Sequence, residues 1–414
     1  MSPHRLLRTA LAGLTLSLGA AAAGAAGTAV VIGGGLKASH DAVWRRMVDL
    51  AGGPGARFVV LGTASENPTA SADAAAKQLQ ARGAVTSVLP VSPLLKDRPV
   101  AQAVADPALV DQVKAARGVF FTGGSQDRIV NSLQPGGQRS PLLQAIWDLY
   151  ERGGVVAGTS AGAAIMSRTM FIDAPDVVGV LKGRFKAGQE VGEGLGFVGP
   201  ALFVDQHFLK RGRLGRLLPV MQAYGYTLGL GVEEDSAAAV RGDEVEMIGG
   251  RAVFVDLADA RVDDKAGAFA LRGARLSLLE PGDRLALATR TLTPSEPKRK
   301  GQLLDPAAAD YKPYYTAPPF HVDMLGDGVI ATAMGLLIDA RYDEIRGLAF
   351  DPRTKADDPL AALGFELRLY KAPGAKGWYS EAGGGEDYTV HRLGLDVLPQ
   401  RMAQPLYQPW KPAP

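Results

Sequence analysis

Short runs of uniformly apolar residues alternate with longer amphipathic segments through the first part of this chain. Thr28 to Ile32 (TAVVI) is apolar and ends in Gly33-Gly34-Gly35. In the next segment Val43, Trp44, Met47, Val48 and Leu50 fall on one side of a helix. Arg57 to Gly62 (RFVVLG) reads as a second strand, and the Ala-rich stretch Ala72 to Ala81, stopped by Gly83, as a second helix. Val85 to Leu89, Gly118 to Phe121 and Gly154 to Ala157 are further short strands. Before the last of them, Ser140-Pro141 predicts an N-cap with proline at the first helical position, and Gly153 the stop. Strands apolar throughout are buried on both faces, and the helices between them imply parallel β-α units. The expected fold is α/β: a doubly wound, mostly parallel sheet flanked by helices, spanning residues 27–260.

Beyond about residue 260 the pattern changes. Arg275 to Leu279 and Arg284 to Ala288 read as strands around the turn Glu280-Pro281-Gly282-Asp283. Residues 293–319, rich in Pro, Lys and Ala, read as a loop or linker, Asp327 to Leu337 as a capped helix, and Phe365 to Leu369 as a half-buried strand. Val390, Leu393 and Leu395 mark one more strand. Residues 261–414 are therefore expected to form an α+β C-terminal extension, with no chemistry legible in it.

The N-terminal 26 residues have a different logic. Arg5 and Arg8 precede the apolar stretch Leu11 to Leu18, and a small-residue run follows from Gly19 to Gly27. That is the layout of a secretory signal peptide with Ala23-Gly24-Ala25 as a cleavage site, which predicts a secreted or periplasmic protein. The apolar part is too short to span a bilayer, and no later run reaches about 18 apolar residues, so no membrane span is expected.

Composition narrows the chemistry. In 414 residues, 45 Lys+Arg against 43 Asp+Glu give a formal net charge of +2, and there is no basic cluster to imply a nucleic-acid partner. Cysteine is absent, which excludes disulfides, thiolate metal sites and a cysteine nucleophile. No metal-binding cluster is apparent, and no cofactor is expected. Gly33-Gly34-Gly35 lacks the third spaced glycine of the dinucleotide fingerprint.

The segment Gly158-Thr159-Ser160-Ala161-Gly162 is a Gly-x-Ser-x-Gly pattern between a strand and a short helical stretch. With 51 glycines in the chain, the pattern alone is weak, and a glycine-rich turn is its ordinary alternative. A strand-to-helix setting exposes the serine above the sheet, and the helix N-terminus brings N–H groups toward an oxyanion. Among the histidines, His207 in Asp205-Gln206-His207-Phe208 follows an apolar run and so stands at the carboxyl edge, where open α/β sheets build sites. Its carboxylate partner is ambiguous: Asp173 and Asp176 follow Ser160, while Glu233 and Glu234 follow the strand Thr227 to Gly231. Gly123-Gly124 ends another strand, and Gln126 and Arg128 beyond it offer donors for a substrate amide or carboxylate. Arg211, Arg213 and Arg216 follow His207, their forks suited to carboxylates and their ordinary alternative a solvated helix face.

Together, the stretches FTGGSQDRI (121–129), GTSAGAAIM (158–166), VDQHFLKRGRLGRL (204–217) and LGLGVEEDSAAAV (228–240) resemble the cyanophycinases, within the serine-peptidase clan that includes peptidase E. The resemblance covers roughly residues 28–260. It implies a peptidase E-like fold of the class I glutamine-amidotransferase type, and hydrolysis of cyanophycin, a poly-aspartate bearing arginine, to β-Asp-Arg dipeptides. By the same resemblance Ser160 is the nucleophile and His207 its base. Gly124 and Ala161 are oxyanion donors, and Gln126 and the arginines after His207 are substrate ligands. The resemblance points to a glutamate in the segment after the nucleophile as the acid. None lies between Ser160 and Gln189, so Asp176, then Asp173, is the nearest counterpart. Related peptidases place an acid at the position of Glu234. Ser125 stands where the family usually has aspartate. A secreted aspartyl or isoaspartyl dipeptidase and an inactive binding protein on the same fold are the alternative readings. A homodimer is implied, acting on cyanophycin or a β-aspartyl peptide.

Overall fold

A computed structural model describes residues 27–174, 176–353, 357–382, 385–403 and 406–410. The predicted signal peptide, residues 1–26, lies outside them. Strands β1 (Thr28–Ile32), β2 (Arg57–Leu61), β3 (Val85–Leu89), β4 (Gly118–Phe121) and β5 (Val155–Thr159) form a parallel block in the order β1-β5-β4-β2-β3. Alternate residues of these strands feed two cores. Val30, Phe58, Phe120 and Ala157 pack on helices α1 (Asp41–Leu50) and α2 (Pro68–Gln80). Val31, Val59, Phe121 and Val156 pack on the opposite face, toward α3 (Gln126–Leu133) and α4 (Pro141–Glu151). This two-sided burial is what the apolar runs predicted, and each fully buried Val, Leu or Phe is worth about 1.5–3 kcal/mol. Ser140 caps α4 as expected, its Oγ accepting from the Leu143 N–H at 3.2 Å.

A second sheet starts with β6 (Leu202–Gln206) and β7 (Leu228–Val232), which are parallel neighbours. The chain then crosses to the first sheet, where β8 (Ala237–Arg241) pairs antiparallel with β1 and β9 (Glu244–Gly249) follows. It returns to the second sheet with β10 (Ala252–Asp256), antiparallel to β7. Both β6 and β7 are buried on both faces, so their apolar pattern is the same whichever sheet receives them.

The chain beyond residue 260 enters both sheets. β11 (Leu271–Leu279) pairs with β10, while β12 (Arg284–Ala286) and β13 (Thr291–Thr293) extend the first sheet beyond β9. β14 (Glu344–Ala349), β15 (Leu363–Tyr370) and β16 (Asp387–Arg401) complete the second in the order β14-β15-β16-β11-β10-β7-β6. The region read as linker holds a short helix, Glu296–Lys300, and a strand, Gln302–Leu304. No helix among the described residues is long and apolar enough to cross a membrane.

Candidate active site

The site forms where β1, β5 and β4 end side by side in the first sheet and the end of β6, from the second sheet, meets them. β5 turns directly into a four-residue helix, α5 (Ala161–Ala164), and Ser160 occupies the turn at φ 53°, ψ −109°. A non-glycine residue with positive φ is strained, and such strain concentrates at functional turns. The small neighbours have steric reasons. A methyl on Gly158 would lie 2.1 Å from the Gly162 carbonyl oxygen, and one on Gly162 would lie 2.5 Å from that of Phe121. The Gly123-Gly124 turn after β4 lies beside the serine: a Cβ on Gly123 would sit 3.2 Å from Ser160 Cβ. Ala161 opens α5, where the first N–H groups have no intrahelical acceptor.

His207 ends β6 with φ 47°, and its Nε2 lies 2.8 Å from Ser160 Oγ. Its Nδ1 lies 2.6 Å from Glu234 Oε1. Glu234 sits in the crossing from β7 to β8. Backbone bonds pin that crossing to the glycines after β1: Gly33 N–H donates to Ser236 O, Asp235 N–H to Gly34 O, and His207 N–H to Gly33 O. Gly34, at φ 108°, gives the imidazole its room, because a Cβ there would lie 2.2 Å from His207 Cε1. The glycine run after β1 therefore serves the histidine. With Glu234 accepting from Nδ1–H, Nε2 is left to accept the Ser160 proton. Burial depresses the His207 pKa below the ordinary 6.5. The Glu234 hydrogen bond opposes this in part, and the nearby Arg211 and Arg213 reinforce it. That direction favours the neutral imidazole at pH 7, the form in which Nε2 can accept a proton.

Asp176, expected first as the acid, does something else: it N-caps α6 (Val177–Leu181), its Oδ1 accepting from Gly179 N–H at 2.8 Å. Asp173 is exposed, and the carboxylate on His207 is Glu234. Glu233, the neighbour, points to the backbone N–H groups of Leu209 and Lys210.

Two of the arginines expected at substrate are framework. Arg216 forks onto buried Asp205 through Nε at 2.8 Å and Nη2 at 2.6 Å, donates to Ala174 O, and stacks on the Phe171 ring at 4.0 Å. Arg213 donates to Gln206 O at 2.7 Å, with Asp205 3.5 Å away, and burial pulls its pKa down to about 10. A guanidinium this buried must be paired within the protein, which removes both from substrate. Arg128 is likewise engaged, by Ala64 O and Glu66, and Gln126 spends its amide N–H groups on Phe171 O and Ile172 O. Arg211 remains exposed beside His207.

One residue was missed. Gln206 is 4 % exposed, yet its side-chain oxygen has no partner, an arrangement that costs about 1–3 kcal/mol unless a ligand donates to it. Its position immediately before the candidate histidine was the available signal. Among the described residues no group of three or more His, Asp or Glu is placed to hold a metal ion.

The sequence profile of peptidase family S51 matches residues 29–248. A cyanophycinase of Geminocystis herdmanii is 31% identical over 273 residues, covering 62% of this chain and 92% of the relative. A cyanophycinase of Trichormus variabilis is 34% identical over 194 residues, 44% of this chain and 61% of the relative. Among solved structures, a peptidase from an acI-B1 Actinobacterium is 19% identical with a TM-score of 0.46, over 64% of this chain and 98% of its own.

Proposed function

The chain belongs to peptidase family S51, and from that premise we propose that it is a cyanophycinase, cleaving cyanophycin to β-Asp-Arg dipeptides through an acyl-enzyme on Ser160. The observation that carries the reading is the continuous chain Ser160 Oγ, His207 Nε2, His207 Nδ1, Glu234 Oε1, at 2.8 and 2.6 Å. In the proposed mechanism Nε2 takes the Ser160 proton as Oγ attacks the peptide carbonyl. Nδ1–H donates to Glu234 throughout, so the carboxylate orients the ring and stabilises the imidazolium. The N–H groups of Gly124 and Ala161 receive the oxyanion, each such donor being worth about 10²–10³-fold in rate. The imidazolium returns its proton to the leaving amine, and water, deprotonated by Nε2, releases the acyl group from Ser160. In this proposal exposed Arg211 is the substrate-facing cation, and the buried, unpartnered Gln206 side-chain oxygen beside His207 is a second acceptor for substrate.

Incubation with insoluble cyanophycin tests it, the expected product being soluble β-Asp-Arg and the expected blank being Ser160→Ala. A protein whose Ser160 reacts with a fluorophosphonate but which releases no dipeptide would refute the substrate and leave the serine chemistry standing. A second reading, an aspartyl or isoaspartyl dipeptidase, is favoured by the acid at Glu234, the position its relatives in the clan use. Faster turnover of Asp-X dipeptides than of polymer would select it. We propose further that residues 1–26 direct export and that the protein acts as a homodimer. The mature N-terminus of protein collected outside the cytoplasm checks the first, and light scattering the second.

A further inference from the structure

The segment leaving His207 is gripped from two sides. On one side Glu233, in the crossing between the sheets, accepts from the N–H groups of Leu209 and Lys210. The other side is the turn Asp323–Gly328, which belongs to the C-terminal region. Gly328 N–H donates to Leu209 O at 3.3 Å, and Lys210 Nζ forms an ion pair with Asp327. Backbone meets backbone at Gly212, where φ is +58° and a Cβ would lie 2.1 Å from Leu325 O. The Leu325 side chain covers Gly215, leaving only 2.7 Å for a Cβ there. The turn itself is anchored deep in the second sheet: Met324 is fully buried and its N–H donates to Leu348 O, in β14, at 2.7 Å.

We infer that the turn Asp323–Gly328 is a positioning element of the catalytic loop, holding residues 207–213 so that the His207 ring stays on Ser160 and Arg211 stays beside it. The C-terminal region is thereby part of the catalytic apparatus. The inference rests on the reading of Ser160 and His207 as the reacting pair. A loop closed by β6 on one end and α7 (Leu214–Ala223) on the other has one non-glycine positive φ, at His207, and a glycine one, at Gly212. The non-glycine conformation at His207 needs outside support to persist. The support on the Gly212 side comes from the turn.

The charged groups around the ring are Glu234, Arg211 and Arg213, with Lys210 on the loop and Glu233 and Asp327 on the two segments that grip it. The first test leaves these charges unchanged. Leu325→Ala does so, removing only the apolar cover over Gly215. Labelling of Ser160 by a small fluorophosphonate is expected to slow about three- to tenfold, since small displacements of a reacting group are costly. The NMR titration of the His207 imidazole is expected to move up toward the ordinary value as the ring gains solvent. Asp327→Lys, at an exposed position, breaks the pair with Lys210 and is expected to slow labelling. The charge swap Lys210→Asp/Asp327→Lys is expected to recover it to within about twofold. An unshifted titration in folded Leu325→Ala, or a swap that recovers nothing, overturns the inference. The titration needs no reaction, so it decides the matter even if Ser160 proves unreactive.

Discussion

Asp205 and His207 stand two residues apart at the end of β6, and each meets a partner of complementary chemistry, yet the two pairs do opposite work. Strand alternation would send both side chains to one face. The positive φ at His207 breaks the alternation, leaving Asp205 on α7 and turning the imidazole toward Ser160. The Asp205 and Arg216 side chains are 2% and 4% exposed and fork onto one another, a closed arrangement. The His207 and Glu234 side chains are 10% and 34% exposed, and one ring nitrogen is held for the serine. Charge alone does not distinguish a ligand for substrate from a strut. Burial does, because a buried fork has already found its carboxylate.

The comparison breaks most sharply at Glu234. Glu234→Gln leaves the shape intact but misorients the ring, and kcat is expected to fall about 10³–10⁴-fold with the melting temperature nearly unchanged. At the closed pair the effect is reversed in kind. Asp205→Ala strands a buried guanidinium and is expected to destabilise the fold by about 3–5 kcal/mol, read as a large drop in melting temperature. Should Asp205→Ala stay stable and lose only activity, the pair would belong to the site after all.

Titration sharpens the contrast. Because burial holds His207 below 6.5 when folded, the acid limb of kcat/KM is expected below that value, with activity lost as pH falls through it. Glu234 is the group that raises the histidine, so the limb in Glu234→Gln should lie lower still. A limb above 6.5 in the parent would mean that the carboxylate outweighs burial. The smallest effect belongs to Asp176, displaced here from the catalytic role. Asp176→Ala removes one helix cap, expected to cost about 1 kcal/mol, and should leave kcat/KM unchanged.

Much of this architecture was legible beforehand. The runs beginning at Thr28, Arg57 and Gly118 are strands within a residue or so of their expected ends, since near-uniform apolarity over four or five residues admits few other solutions, and the more polar run at Val85 is the edge strand. The serine turn was legible from its strand-to-helix setting and small residues; Gly158 is demanded locally, against Gly162, while Gly162 is demanded by Phe121 on the neighbouring strand. The purpose of the glycines after β1 was not legible, beyond their lack of the dinucleotide fingerprint. Their purpose depends on a ring that approaches from another sheet.

Local periodicity and local sterics therefore decide the parallel block, the serine turn and a histidine at a strand end. The tertiary structure alone decided which carboxylate completes the site and which arginines are struts. Glu234 reaches His207 because the chain changes sheets between β7 and β8 and is pinned there by Gly33 and Gly34. Asp176 lies nearer Ser160 in the chain, but its carboxylate is spent on a helix cap. Adjacency along the chain carries no information about a contact made between two sheets, and burial, which separates Arg211 from Arg216, exists only once both sheets have closed.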